Sequence, residues 1–252
     1  MLSHFHGKER HKYFLEYERI RMLKKSNFYY ALTWFFGRPI LDWGMNIHST
    51  GGENLPEKGP VLLLSNHISH FDPPLVGYGL RRAVDFLASA EFFENKWVNR
   101  FFRSINTYPF KRDQAQDLTA MRWVRTSLNE DRVVCIFPER GIRYGEKSVL
   151  AGKLFPPGTA EVAFRWGVTV IPTVVLGSDH FYTLKAWKNR QSVYVTYLPA
   201  IHPQDFKSAA EMNRAIGESM HQEVRRLKRI YDLNESIMPI AAEEHWGKPV
   251  PA

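Results

Sequence analysis

The chain reads as an α/β domain, a central, largely parallel sheet flanked by helices, with a basic and aromatic pair of helices ahead of it. Short apolar runs without polar alternation, VLLLS, VVCIF and VTVIPTVVL, are what strands buried on both faces look like. Between them lie stretches with apolar residues at helical spacing, and such strand–helix alternation builds a mostly parallel sheet. At 252 residues, 44% apolar and 24% charged, the chain can bury one large core, and this balance excludes disordered and collagen-like classes.

Taken in order, residues 8–25 predict a helix with Tyr13, Tyr17, Ile20 and Leu23 along one face. A second helix follows from Phe28 to about Leu41, crowded with Phe28, Tyr29, Tyr30, Trp34, Phe35 and Phe36. Residues 1–30 carry seven Lys and Arg against three Glu. Cations beside aromatic rings suit a helix lying at the headgroup level of an anionic membrane, and a hairpin packed on the core accounts for them equally well. The turn-rich GGENLPEKGP leads into VLLLSN, the first buried strand. Residues 86–103 and 115–130 read as helices, the first carrying Phe92, Phe93, Trp97, Phe101 and Phe102. VVCIF is the second strand. Pro157 opens a helix that Gly167 closes, VTVIPTVVL is the third strand and SVYVTYL an alternating fourth. The last helix places Ile216, Met220, Val224, Leu227 and Tyr231 on one face. The expected division is a helical segment over 1–45, one α/β domain over 46–240 and a loose tail over 241–252.

Charge and cysteine content narrow the partners. The 34 Lys and Arg against 26 Asp and Glu leave +8 and a pI near 9.5, which favours nucleic acid, anionic membrane or phosphorylated ligands. One cysteine forms no internal disulfide and no four-cysteine zinc site. The most apolar stretch, FYYALTWFF, falls well short of the roughly 20 residues that a membrane-spanning helix needs. The first residues lack the pattern of a secretory signal. The expected location is the cytoplasmic side, dissolved or lying peripherally on a surface.

Three segments could carry chemistry. Asn66-His67-Ile68-Ser69-His70-Phe71-Asp72 follows a buried strand and precedes Pro73-Pro74, so Asp72 falls where a helix begins. A histidine five residues earlier can turn its ring back to that carboxylate, which would fix its tautomer and leave the other nitrogen as a base. Taken alone, the segment reads more simply as a helix-capping aspartate beside a satisfied loop histidine. Phe137-Pro138-Glu139-Arg140-Gly141-Ile142-Arg143, again at a strand end, could grip a phosphate with guanidinium forks and backbone amides, or form a charged surface loop. Tyr108-Pro109-Phe110-Lys111-Arg112 on its own is a solvated turn.

Together these segments resemble the lysophosphatidic acid acyltransferases of the glycerolipid acyltransferase superfamily. Asn66-His67 through Asp72 is similar to the N-H-x-x-x-x-D signature, Tyr108 to Arg112 to the second block, Phe137-Pro138-Glu139 to the start of F-P-E-G-T-R, and Val170-Ile171-Pro172-Thr173 to the closing V-P block. The order agrees from about residue 50 to 180. The resemblance implies direct transfer of an acyl group from acyl-CoA or acyl carrier protein, as co-substrate and with no cofactor or metal, to a lysolipid hydroxyl. It implies His67 as general base, Asp72 as its orienting partner, and Lys111, Arg112, Glu139, Arg140, Gly141 and Arg143 around the acceptor and its phosphate. It also implies that the basic aromatic helices dock on an anionic membrane. The departure is Arg140 in the glycine position, with Gly141 and Arg143 one place onward, so that Arg143 best matches the family arginine.

Other readings fare worse. No G-x-S-x-G elbow accompanies Ser65 or Ser69. His67, His70 and Asp72 have weak zinc spacing, and GEKSVLAGK lacks the P-loop spacing and its Ser/Thr. Arg225, Arg226, Lys228 and Arg229 suit a solvated helix end better than nucleic acid. The acceptor alternatives are another lysolipid, such as a lyso-aminolipid or lysophospholipid, and glycerol 3-phosphate. A rival of another class is a non-catalytic lipid- or nucleic-acid-binding protein on the same scaffold.

Overall fold

The structure is a computed structural model that describes residues 27–111, 117–139, 141–142, 148–234 and 237–239. The helix expected over 8–25, the cations Arg112, Arg140 and Arg143, and the tail over 241–252 lie outside these residues. Seven strands form one sheet: β1 (Asn46–Thr50), β2 (Val61–Ser65), β3 (Val84–Ser89), β4 (Thr107–Phe110), β5 (Val133–Ile136), β6 (Thr169–Leu176) and β7 (Ser192–Tyr197). Their order is β1-β7-β6-β2-β5-β3-β4. Every neighbouring pair is parallel except β6 and β7, so the sheet is mixed and mostly parallel.

Along β2 the side chains alternate between two cores. Val61 and Leu63 join one, Leu62 and Leu64 the other, and all four are completely buried, which explains the absence of polar alternation. On the first face lie α1 (Asn27–Gly44), α2 (Asp72–Tyr78) and α6 (Leu184–Lys188), which contribute Leu41, Leu75, Val76 and Ala186. On the second lie α4 (Leu118–Asn129), α5 (Pro157–Trp166) and α7 (Ala209–Ile230), through Trp123, Val124, Ala163, Met220 and Val224. Gly167 stops α5 in the left-handed conformation, φ 64°, as the sequence predicts.

Three strands depart from the sequence reading. The stretch 86–103 is helical only in its second half. Residues Val84–Ser89 form β3, held between β5 and β4, and α3 (Lys96–Ser104) begins after a 3-10 turn over Ala90–Phe93. Pairing on both sides outweighs the local helical spacing there. β4 contains Pro109 and lies at the sheet edge, where a missing N–H costs no ladder bond. β1, the other edge, has the polar sequence NIHST and carries no apolar signal.

The expected helix from Phe28 is present as α1. Its Trp34 ring lies 2.6 Å from where a Cβ on Gly77 would stand, so only glycine lets α1 and α2 approach this closely. Arg38 covers the ring of Tyr78, whose hydroxyl donates to Asp42. The opposite side of α1 presents Phe28, Phe35, Phe36, Ile40 and Trp43 to solvent, with Phe35 72% and Trp43 74% exposed. No described helix is long and apolar enough to cross a membrane.

Candidate active site

The C-terminal ends of β2, β5, β3, β4 and β6 all face the same way, and the candidate residues gather beyond them, where open α/β sheets bind their ligands. Asn66, just past β2, donates through Nδ2 to the carbonyl of Val175 at 2.9 Å and accepts its N–H through Oδ1 at 2.8 Å. The amide thus stands in for one more ladder pair with β6 and fixes where the loop over 67–71 leaves the sheet.

Asp72 is the first residue of α2, but its carboxylate turns back from the helix. Oδ2 accepts the N–H groups of Ile68 at 2.7 Å and Ser69 at 2.8 Å, and lies 2.8 Å from His67 Nδ1. Oδ1 accepts the Ser178 hydroxyl at 2.5 Å. The helix-capping alternative is not what this carboxylate does, and α2 has no side-chain cap bond. Asp72 is fully buried while the His67 side chain is 14% exposed. Contact with the carboxylate assigns the proton on His67 to Nδ1 and leaves Nε2 as the acceptor. Phe137 stacks on the imidazole, with centroids 4.4 Å apart.

Glu139 closes the loop from the other side. Oε2 accepts the His67 N–H at 2.7 Å, and Oε1 accepts the Val149 N–H at 2.8 Å and the Ser148 hydroxyl at 3.2 Å. Both oxygens therefore bind the protein itself. Burial pushes this carboxyl up from about 4.5 to about 7, outweighing the three donors that favour its charge. The folded-state value lies above the unfolded one, so the stability Glu139 contributes is greatest below about pH 4.5 and is lost as pH rises through about 7. This amounts to about 3 kcal/mol. Urea unfolding between pH 4.5 and 8 is expected to show that slope in the wild type. Glu139→Gln, which cannot ionise, is expected to lack it, and an unchanged slope in the variant would contradict the assignment.

His67 and His70 stand in the wall of an apolar cavity of about 700 Å³, whose lining includes Leu87, Phe92, Phe102, Phe110, Met121 and Trp166. Lys111 and Gly141 border the same cavity, and Glu139 does not line it. Lys111 donates its backbone N–H to Asp117 Oδ2 at 3.0 Å, while Oδ1 of that residue caps α4. The tyrosine hydroxyl of Tyr182 accepts the His70 N–H at 2.9 Å and lies 2.5 Å from its Nδ1. His67 and His70 thus turn to different partners, and among the described residues no three metal-binding side chains gather. Of the residues singled out from the sequence, the structure brings together His67, Asp72 and Glu139, with Lys111 and Gly141 on the shared cavity. Ser178 and Tyr182 were missed.

An imidazole backed by a buried carboxylate in the wall of an apolar cavity has the geometry in which a ring nitrogen can accept a proton from a hydroxyl or water. Sequence comparison narrows the class. The profile of the family described as Acyltransferase matches residues 46–176, just over half of the chain, and the chain belongs to this acyltransferase family. It is 25% identical over 164 residues to a 1-acyl-sn-glycerol-3-phosphate acyltransferase of Borreliella burgdorferi, covering 63% of this chain and 62% of that protein. It is 25% identical over 183 residues to a 1-acyl-sn-glycerol-3-phosphate acyltransferase of Bacillus subtilis, covering 71% of this chain and 87% of that protein. The match thus spans less than two thirds of the first relative's length. The crystal structure of the 1-acyl-sn-glycerophosphate (LPA) acyltransferase PlsC from Thermotoga maritima shares the fold, with a TM-score of 0.60 and 21% identity over 83% of this chain and 96% of that one.

Proposed function

We propose that the protein transfers a fatty acyl group from a thioester on coenzyme A or acyl carrier protein to the hydroxyl of a lysolipid, with 1-acylglycerol 3-phosphate as acceptor and phosphatidic acid as product. The observation that carries this reading is the His67–Asp72 contact of 2.8 Å at the apolar cavity. Nε2 of His67 takes the hydroxyl proton as that oxygen attacks the thioester carbonyl. The C–S bond then breaks, and the leaving thiolate recovers the proton from the imidazolium. A thioester is already activated, so the transfer needs no covalent enzyme intermediate. The cavity suits an acyl chain, and Lys111 with Arg112 and Arg143 suits the acceptor phosphate. Thiol release from acyl-CoA and from acyl carrier protein tests the reading. Release is expected to require the lysolipid and to favour an acceptor with phosphate over one without. Equal rates with glycerol 3-phosphate or another lysolipid would reassign the acceptor. No release with any of them would move the assignment to a lipid- or nucleic-acid-binding protein.

The reading extends to an anionic membrane surface on the cytoplasmic side, met peripherally. The exposed row Phe36, Ile40 and Trp43, with Phe28 and Phe35 beside it, has the rings for the headgroup region. Replacing Phe36 and Trp43 together by Ala is expected to weaken sedimentation with anionic vesicles about tenfold. Unchanged sedimentation would return this face of α1 to solvent.

A further inference from the structure

The mechanism above uses His67 and Asp72 and leaves Ser178 without a role. We propose that Ser178 is a positioning residue for the acid–base pair, acting through Asp72; this rests on the proposed general-base reading. Ser178 and Asp72 are both completely buried. Oδ2 of Asp72 already serves His67, Ile68 and Ser69, whereas Oδ1 has the Ser178 hydroxyl as its hydrogen bond among the described residues. Rotation of the Asp72 carboxylate about its Cβ–Cγ bond would move both oxygens off their donors, so the Ser178 bond adds a restraint on the far side of Cγ from the three that hold Oδ2. Held through both oxygens, the carboxylate keeps its plane and so the direction in which it holds the imidazole.

The backbone delivers the hydroxyl to this spot. β6 ends at Leu176, and Gly177 turns the chain in the left-handed conformation, φ 81°. A Cβ there would stand 2.7 Å from the Ser192 carbonyl oxygen of β7, so both conformation and space demand glycine. The turn places Ser178 at the start of the 3-10 segment Ser178–Tyr182, whose last residue accepts the His70 N–H. The same strand end thus holds the histidine loop at three points: Asn66 through Val175, His70 through Tyr182 and Asp72 through Ser178. No local spacing announces this, because Ser178 is separated from Asp72 by 106 residues.

The experiment measures acceptor-dependent thiol release and thermal unfolding for wild type, Ser178→Ala, Ser178→Thr, His67→Ala and the His67→Ala/Ser178→Ala double variant. Ser178→Ala is expected to lower kcat about tenfold, the scale of one hydrogen bond to a charged group, with KM for donor and acceptor within about twofold. Ser178→Thr, which keeps the hydroxyl, is expected to recover most of the rate. In the His67→Ala background the Ala substitution is expected to cost nothing further, because its effect runs through the imidazole. Wild-type kcat in folded Ser178→Ala overturns the proposal, and so does an equal loss in the His67→Ala background. If Ser178→Ala fails to fold, a tenfold loss in folded Ser178→Cys, a weaker donor, supports it and an unchanged rate overturns it. A wild type without thiol release fails the underlying reading first, which separates that failure from this one.

Discussion

His67→Ala is expected to lower acceptor-dependent thiol release by at least about 10²-fold, the usual worth of a positioned general base, and to leave the fold in place. The second half of that expectation follows from how Asp72 is held. Removing the imidazole takes away one donor, but Ile68, Ser69 and Ser178 still satisfy both oxygens of the buried carboxylate. The ring itself is partly exposed and, among the described residues, stacks on Phe137 alone of the aromatic side chains. Thermal unfolding therefore separates a lost base from a lost fold. A variant with the wild-type melting temperature and the wild-type rate would remove His67 from the mechanism.

Arg132→Met carries the largest expected effect on stability. The Arg132 guanidinium forks onto Asp85, Nε to Oδ2 at 2.7 Å and Nη2 to Oδ1 at 2.5 Å, and the Asp85 side chain is fully buried. The pair joins β3 to the entry of β5, at the end of the sheet opposite the cavity. Taking away the cation leaves a carboxylate in the interior without its fork, a change that typically costs about 3–5 kcal/mol. For a chain of this size that lowers Tm by roughly 10 °C. Asp85→Asn in the same chain removes the stranded charge and is expected to recover part of the loss. Thiol release at low temperature is expected to stay within about twofold of wild type, since nothing at the cavity changes. A Tm within about 2 °C of wild type would show that this pair contributes little.

What could be read from the sequence follows from how local each signal is. β2, β5 and β6 are written as apolar runs because both of their faces are covered, and α5 and α7 as periodic rows between clear start and stop residues. β1, β3 and β4 escape because their identity lies in their neighbours: two are edge strands, one polar and one interrupted by Pro109, and β3 looks helical until its partners are seen. The site divides the same way. His67 and Asp72 were legible because five residues carry the chain from a strand end to a helix start. Ser178 and Tyr182 were not, because they come from more than a hundred residues away. Glu139 stood in a recognisable segment, but its partners include backbone amides of His67 and Val149, which leave no trace in a residue pattern.

The loop bearing His67 has spent its polarity on holding itself still. The N–H of His67 goes to Glu139, those of Ile68 and Ser69 to Asp72, that of His70 to Tyr182 and that of Phe71 to the Ser69 hydroxyl. In the proposed transfer, negative charge grows on the thioester carbonyl oxygen as the acceptor attacks, and such charge needs donors aimed at it in advance. Every amide beside the base is already committed, so an oxyanion hole cannot be built from this loop without dismantling what orients the histidine. The proposed base and the oxyanion donor must then come from separate parts of the chain, and Gly141, which borders the same cavity, lies on a segment other than the histidine loop.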